Sequence, residues 1–299
     1  HLWIDESLFK HHFFNKFAAM NGVNRQVRVA ILDLYDGFAN QGMRCIREIL
    51  NQFADAQSLN LQWDEFDVRG KCEVPDLSYD VYISTGGPGS PLESEGTDWE
   101  NNFFSWITKV KDWNANPLQE QKKHVFFICH SFQLACRYFE IGNVCARKST
   151  AFGAFPIHMI QGANEEIIFE GLVNPFYGVD SRDYQVIQPN HKHLKEIGAK
   201  LLCIEKERPH VPFERAIMAI RFNEFMIGTQ FHPEADAIGM SMYLQTEEKK
   251  KTVIDNHGFE KWKSMIEHLE DPDKILLTYS HILPNFLYRS VFSTETVAV

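Results

Sequence analysis

Three short stretches carry residue types able to do nucleophilic chemistry. In FFICHSFQLA, Phe126 to Ala135, an apolar run stops at Cys129 and an amphipathic continuation starts right behind it. Cys129 reads either as a core thiol at a strand end or as a nucleophile on a strand-to-helix turn, where the helix N-terminus favours the thiolate. STGGPGSP, residues 84–91, sets two glycines before a proline. Such a loop turns tightly and aims backbone N–H groups outward, toward an oxyanion or a phosphate. No Gly-Lys-Ser/Thr follows, so it is not a P-loop, and a plain glycine-rich turn is the alternative. GTQFHPEAD, residues 228–236, holds His232 and Glu234 two apart around Pro233. The proline biases His232 toward extended backbone, in which the two side chains face the same way. A carboxylate beside an imidazole fixes its tautomer and stabilises its cation, as a general base requires.

The elements around these stretches alternate. VRVAILDLYDG reads as a buried first strand closed by Asp36-Gly37. Met43, Ile46, Ile49, Leu50 and Phe53 have helical spacing, as do Trp99, Phe103, Trp106, Ile107 and Val110. LQWDEFDV, DVYIS and HVFFI read as further strands, and Gln133 to Phe139 as a helix behind the cysteine. Strands that are apolar throughout and alternate with helices predict a doubly wound, flavodoxin-like sheet, mixed or parallel, with helices on both faces. In such folds ligands sit outside the carboxyl ends of strands, where Cys129 and STGGPGSP both fall.

After about Ala146 the rhythm changes. FGAFPIHMI, EEIIFE, YQVIQ, KLLCIE, RAIMAIRF and FMIGTQF read as short strands of the same domain. TEEKKK is a solvated charge run; GFEKWKSMIEHLE and ILLTYSHILPNFLYRSVF read as helical, the second broken near Pro284. The division expected is an arm over 1–25, the main domain over 26–240 and a helical C-terminal extension over 241–299.

The 299 residues carry a formal net charge of −10, which argues against nucleic acid as a primary partner and favours small molecules or proteins. Six cysteines form no Cys-x-x-Cys pair and no zinc-finger spacing, so reduced thiols in the cytoplasm are expected. No apolar run reaches the length of a membrane span, and the first residues lack the continuous apolar core of a signal peptide.

Taken in order, TGGPGSP, then a strand ending in Cys with Gln four residues on (ICHSFQ), then TQFHPE resembles the class I (triad) glutamine amidotransferases, in particular amidotransferase domains of the GMP synthase type. The resemblance spans roughly residues 27 to 236. It implies Cys129 as nucleophile, His232 as general base and acid, and Glu234 as the residue orienting His232. It implies the backbone N–H groups of Gly87 and His130 as the oxyanion hole. Gln133 matches the glutamine that helps shape the substrate site; the His130 imidazole, adjacent in sequence on the turn, should point away from the thiol. The implied substrate is glutamine or a related amide, cleaved through a thioester, with no cofactor and no metal.

Several positions depart from the pattern. The glycines usual two residues before and after the cysteine are Phe127 and Ser131 here, so the pocket and substrate should differ, with Ser131 beside the substrate. VDSRDYQVIQP replaces the usual histidine-bearing turn, and its polar cluster, including Arg182 and Tyr184, reads either as substrate-lining or as an exposed loop. The sequence shows no synthetase-type nucleotide loop, so ammonia would either pass to a separate synthetase subunit or not be transferred at all. Two rivals follow: an acyltransferase similar to homoserine transsuccinylases, which share a Cys-His-Glu triad and a Ser-Arg pair like Ser181-Arg182, and a catalytically silent relative that only binds a partner.

Overall fold

The computed structural model describes residues 26–209, 211, 214–260, 262–263 and 272–292. The expected N-terminal arm, and GFEKWKSMIEHLE from 264 onward, lie outside the described residues. The first half runs β1 (Gln26–Asp33), α1 (Gly42–Gln57), β2 (Asn60–Asp67), β3 (Val81–Ser84), α2 (Asp98–Ala115), β4 (His124–Ile128) and α3 (His130–Tyr138). The second half adds β5 (Asn143–Met159), two 3-10 turns, β6 (Phe176–Ile187), α4 (His191–Ile197), β7 (Lys200–Glu205), β8 (Ile217–Asn223) and β9 (Met226–Thr229). Helices α5 (Ala237–Leu244), α6 (Glu247–His257) and α7 (Pro272–Phe292) follow.

The nine strands form one sheet in the order β2-β1-β3-β4-β9-β8-β7-β5-β6. Strands β2 through β9 in that order are parallel, and the remaining pairings are antiparallel. Side chains alternate across a strand, and both faces are covered. Val29 and Ile31 of β1 and Phe126 and Ile128 of β4 pack with α1 and α7. Ala30, Leu32, Val125 and Phe127 pack on the other side with α2 and α3. Two buried faces explain why these strands read as unbroken apolar runs.

Two expectations need correction. EEIIFE is not a strand: Ala163–Glu165 and Ile167–Phe169 are 3-10 turns that aim Ile168 and Phe169 into the core without a ladder. Helix α7 continues through Pro284. A proline there removes one ladder hydrogen bond, but Ile282, Leu283, Phe286 and Leu287 are buried on either side of it. The Phe286 ring lies 5.1 Å from that of Phe126, so α7 belongs to the central core. Among the described residues no helix is long and apolar enough to cross a membrane.

Candidate active site

Cys129 forms the step between β4 and α3 with φ 49° and ψ −98°. A non-glycine residue held at positive φ is strained and persists only where its surroundings over-determine it. Four contacts do so. The Cys129 N–H donates to the Thr229 carbonyl at 2.8 Å, tying the elbow to β9. The Ser131 hydroxyl accepts from the Ile128 N–H at 2.9 Å and faces the carbonyls of Ser84 at 2.8 Å and Ile128 at 3.0 Å. One buried hydroxyl thus joins both limbs of the elbow to β3. His130 is the first residue of α3, directly after the cysteine, so its N–H has no intrahelical acceptor. Its imidazole is buried elsewhere and neutral; burial first, then the charges of Arg69 and Arg137, push its pKa down to about 3.

Phe127 points to the face opposite Cys129, against the rings of Phe103 at 6.4 Å and Phe222 at 5.7 Å. Gly228 stands directly across from it on β9. A Cβ there would lie 2.9 Å from the Phe127 carbonyl oxygen and 3.0 Å from its Cβ, so the small residue this crossing needs sits on the neighbouring strand.

His232 Nδ1 meets Glu234 Oε1 at 2.8 Å, and Glu234 is buried. The geometry behind this contact differs from the extended pairing expected. His232 makes an isolated antiparallel bridge to Val179, donating its N–H to the Val179 carbonyl at 2.7 Å, and Pro233 and Glu234 then turn. The turn brings the carboxylate to Nδ1 of the ring. The imidazole and Cys129 border the same point of the site: a Cβ on Gly86 would lie 2.8 Å from His232 Cε1 and 3.5 Å from Cys129 Cβ. Burial alone would lower the His232 pKa, but the neighbouring Cys129 and Glu234 charges and their hydrogen bonds outweigh it and hold the value well above 6.5. The arrangement therefore favours the charged form of the imidazole.

The glycine loop closes the third side. A Cβ on Gly86 would lie 2.8 Å from His232 Cε1 and 3.5 Å from Cys129 Cβ; one on Gly87 would lie 2.3 Å from the Leu34 carbonyl oxygen. Gly86 thus gives the imidazole its room, and Gly87 lets the loop lie against the end of β1. Arg69 Nη1 holds the loop by donating to the Pro88 carbonyl at 2.7 Å and toward that of Leu34 at 3.3 Å.

Of the remaining candidates, Gln133 reaches the site through its amide, which donates to the Tyr184 carbonyl at 3.2 Å and to Gln230 Oε1 at 3.1 Å. Tyr184 is half-buried on β6, which is a strand where the sequence also allowed a loop. Arg182 is buried, its Nε on Asp180 at 2.9 Å and its Nη2 on Glu205 at 3.3 Å. The Ser181 carbonyl between them lies 3.8 Å from the Cys129 sulfur. Three neighbours escaped sequence reasoning: Gly86, Gln230 and Tyr35. Tyr35 follows β1, and its hydroxyl lies where a Gly42 Cβ would be. Burial, then the Glu234 and Cys129 charges, raise its pKa well above 10, so it is neutral. Gly86 and Gln230 stood in the motif strings themselves; Tyr35 gave no signal beyond its place at a strand end. Among the described residues no His/Cys/Asp/Glu group is arranged to hold a metal ion.

A doubly wound sheet with a strained cysteine elbow at the carboxyl end of β4 defines an α/β domain with its candidate site outside the strand ends. Residues 30–247 match the family model of class-I glutamine amidotransferases, and the chain belongs to that family. Among solved structures, a glutamine amidotransferase from Thermotoga maritima is similar at 16% identity and TM-score 0.62, over 90% of this chain and 99% of that one. The glutaminase domain of Trypanosoma brucei CTPS with bound acivicin is similar at 14% identity and TM-score 0.55, over 88% and 93%. A glutamine amidotransferase from Methylobacillus flagellatus is similar at 14% identity and TM-score 0.53, over 90% and 94%. At these identities the likeness is one of fold. A search of curated proteins gives no match.

Proposed function

We propose that the protein hydrolyses the side-chain amide of glutamine through a Cys129 thioester. The Cys129 thiolate attacks the carboxamide carbon, and the oxyanion rests on the backbone N–H groups of Gly87 and His130. The tetrahedral intermediate collapses with cleavage of the C–N bond as the His232 imidazolium passes its proton to departing ammonia. Neutral His232 then takes a proton from water, whose oxygen attacks the thioester carbon. Glutamate leaves, and the thiolate–imidazolium pair is restored. Glu234 keeps Nδ1 protonated, so that Nε2 faces the thiol and exchanges the proton. Removing one oxyanion donor costs on the order of 3 kcal/mol of barrier in such sites.

In this reading ammonia goes to a separate synthetase subunit and the chain works in the cytoplasm. Ser131 and Arg182 serve the scaffold rather than the substrate, since the hydroxyl is engaged by the elbow backbone and the guanidinium by Asp180 and Glu205. One observation carries the reading: a cysteine on a positive-φ elbow and an imidazole that Glu234 fixes at 2.8 Å both border Gly86, whose added Cβ would lie 3.5 Å from Cys129 Cβ and 2.8 Å from His232 Cε1. The test is incubation with glutamine. The wild-type chain should release glutamate and ammonia and Cys129→Ala should not; equal release from both would refute the assignment.

A further inference from the structure

Gln230 is fully buried, and its side-chain amide reaches the reacting sulfur, with Nε2 3.8 Å from Cys129 Sγ. Its backbone is anchored on β8 by an N–H bond to the Met218 carbonyl at 2.8 Å. Which end of its amide faces the sulfur follows from partners that have no choice. The Tyr184 carbonyl can only accept, so Gln133 must present Nε2 to it, at 3.2 Å. The second N–H of that nitrogen meets the Gln230 oxygen at 3.1 Å. With its oxygen committed, Gln230 turns its NH2 to the sulfur. The opposite neighbour, the Ser181 carbonyl at 3.8 Å, offers a thiolate no donor.

We propose that Gln230 stabilises the Cys129 thiolate by donating a hydrogen bond to it, and that Gln133 is a positioning residue that orients Gln230. The relay runs from a backbone carbonyl through two side-chain amides to one sulfur, and joins β6, α3 and the segment after β9. A hydrogen bond to the charged form of an acid favours that form, and one made in a buried site is worth more than one made in water. The proposal rests on Cys129 being the nucleophile and adds that its ionisation depends on a neutral donor besides His232. The charged and titratable groups facing the sulfur and its neighbours are His232 and Glu234 behind β9, Tyr35 behind β1, Cys45 on α1, and the Asp180–Arg182 pair on β6.

The test is the pH dependence of iodoacetamide alkylation of Cys129 in the full chain, followed on its own peptide by mass spectrometry. Gln230→Met keeps the volume and removes the donor. It should move the midpoint up by about one pH unit, an approximately tenfold lower thiolate fraction on the acid side. Gln133→Met should move it the same way by less, and the double variant no further than Gln230→Met, because the two act in series. Gln230→Glu, which puts a carboxyl against the sulfur, should shift the midpoint at least as far and serves if the methionine variant does not fold. An unchanged midpoint in a folded Gln230 variant overturns the donor role, and fully additive shifts overturn the relay. A wild-type Cys129 that resists alkylation at every pH overturns the nucleophile reading itself, and the relay with it.

Discussion

Adding one methyl group at Gly86 should separate the machinery from the scaffold. Gly86 is not among the residues at positive φ, so alanine fits its backbone and the effect is steric alone. The new Cβ would lie 2.8 Å from His232 Cε1, about 0.6 Å inside the 3.4 Å at which ordinary contact begins. The ring has little freedom to give way, with Nδ1 held by Glu234 at 2.8 Å and the backbone N–H held by Val179 at 2.7 Å. Displacing a reacting group by about 1 Å can cost about 100-fold in rate, so Gly86→Ala should lose ~10- to 100-fold in glutamate release. Its melting temperature should fall only slightly. Gly87→Ala should behave differently: its Cβ would meet the Leu34 carbonyl oxygen at 2.3 Å, a backbone atom that cannot rotate aside, and should destabilise the fold by about 1–3 kcal/mol. Both variants are read by glutamine turnover beside thermal unfolding. Wild-type turnover from folded Gly86→Ala would refute the placement of the imidazole against this loop.

Ser131→Ala should cost about 1–3 kcal/mol in urea unfolding, since the buried Ile128 N–H and Ser84 carbonyl both lose their hydroxyl partner; no loss would mean that water replaces it freely. Phe127→Ala should cost about 3–5 kcal/mol by opening a cavity among Phe103 and Phe222, while turnover survives below the unfolding temperature because the ring faces away from Cys129. The raised His232 pKa sets a pH signature with a definite sign. Stability from the imidazolium is fully present below the ordinary histidine value of 6.5 and is lost as pH rises through the raised value. The stability deficit of His232→Gln, measured across pH, should therefore be largest in acid and shrink in alkali; a deficit growing with pH would contradict the charged pair.

Much of this was legible in the residues. HVFFI and KLLCIE form β4 and β7 end to end, because an apolar run between polar turns in a doubly covered sheet leaves little else possible. The three motif strings do converge, since strands β3, β4 and β9 are neighbours in the sheet. What failed depended on contacts distant in sequence. EEIIFE has strand composition, yet its apolar residues are satisfied by facing α7 from a turn. Pro284 signals a break that the surrounding buried side chains override. Phe127 looked like a misfit at the elbow because its compensation, Gly228, lies on another strand. The partners of the Gln133 amide, Tyr184 and Gln230, lie on other elements, and no local string reveals them.

The most direct measurement is covalent labelling with a glutamine-mimicking electrophile, with the modified residue located by peptide mass spectrometry. One adduct on Cys129, slowed by added glutamine and accelerated when His232 and Glu234 are intact, is the predicted result. Labelling confined to another cysteine, or no adduct on Cys129 while glutamine is still hydrolysed, would contradict it.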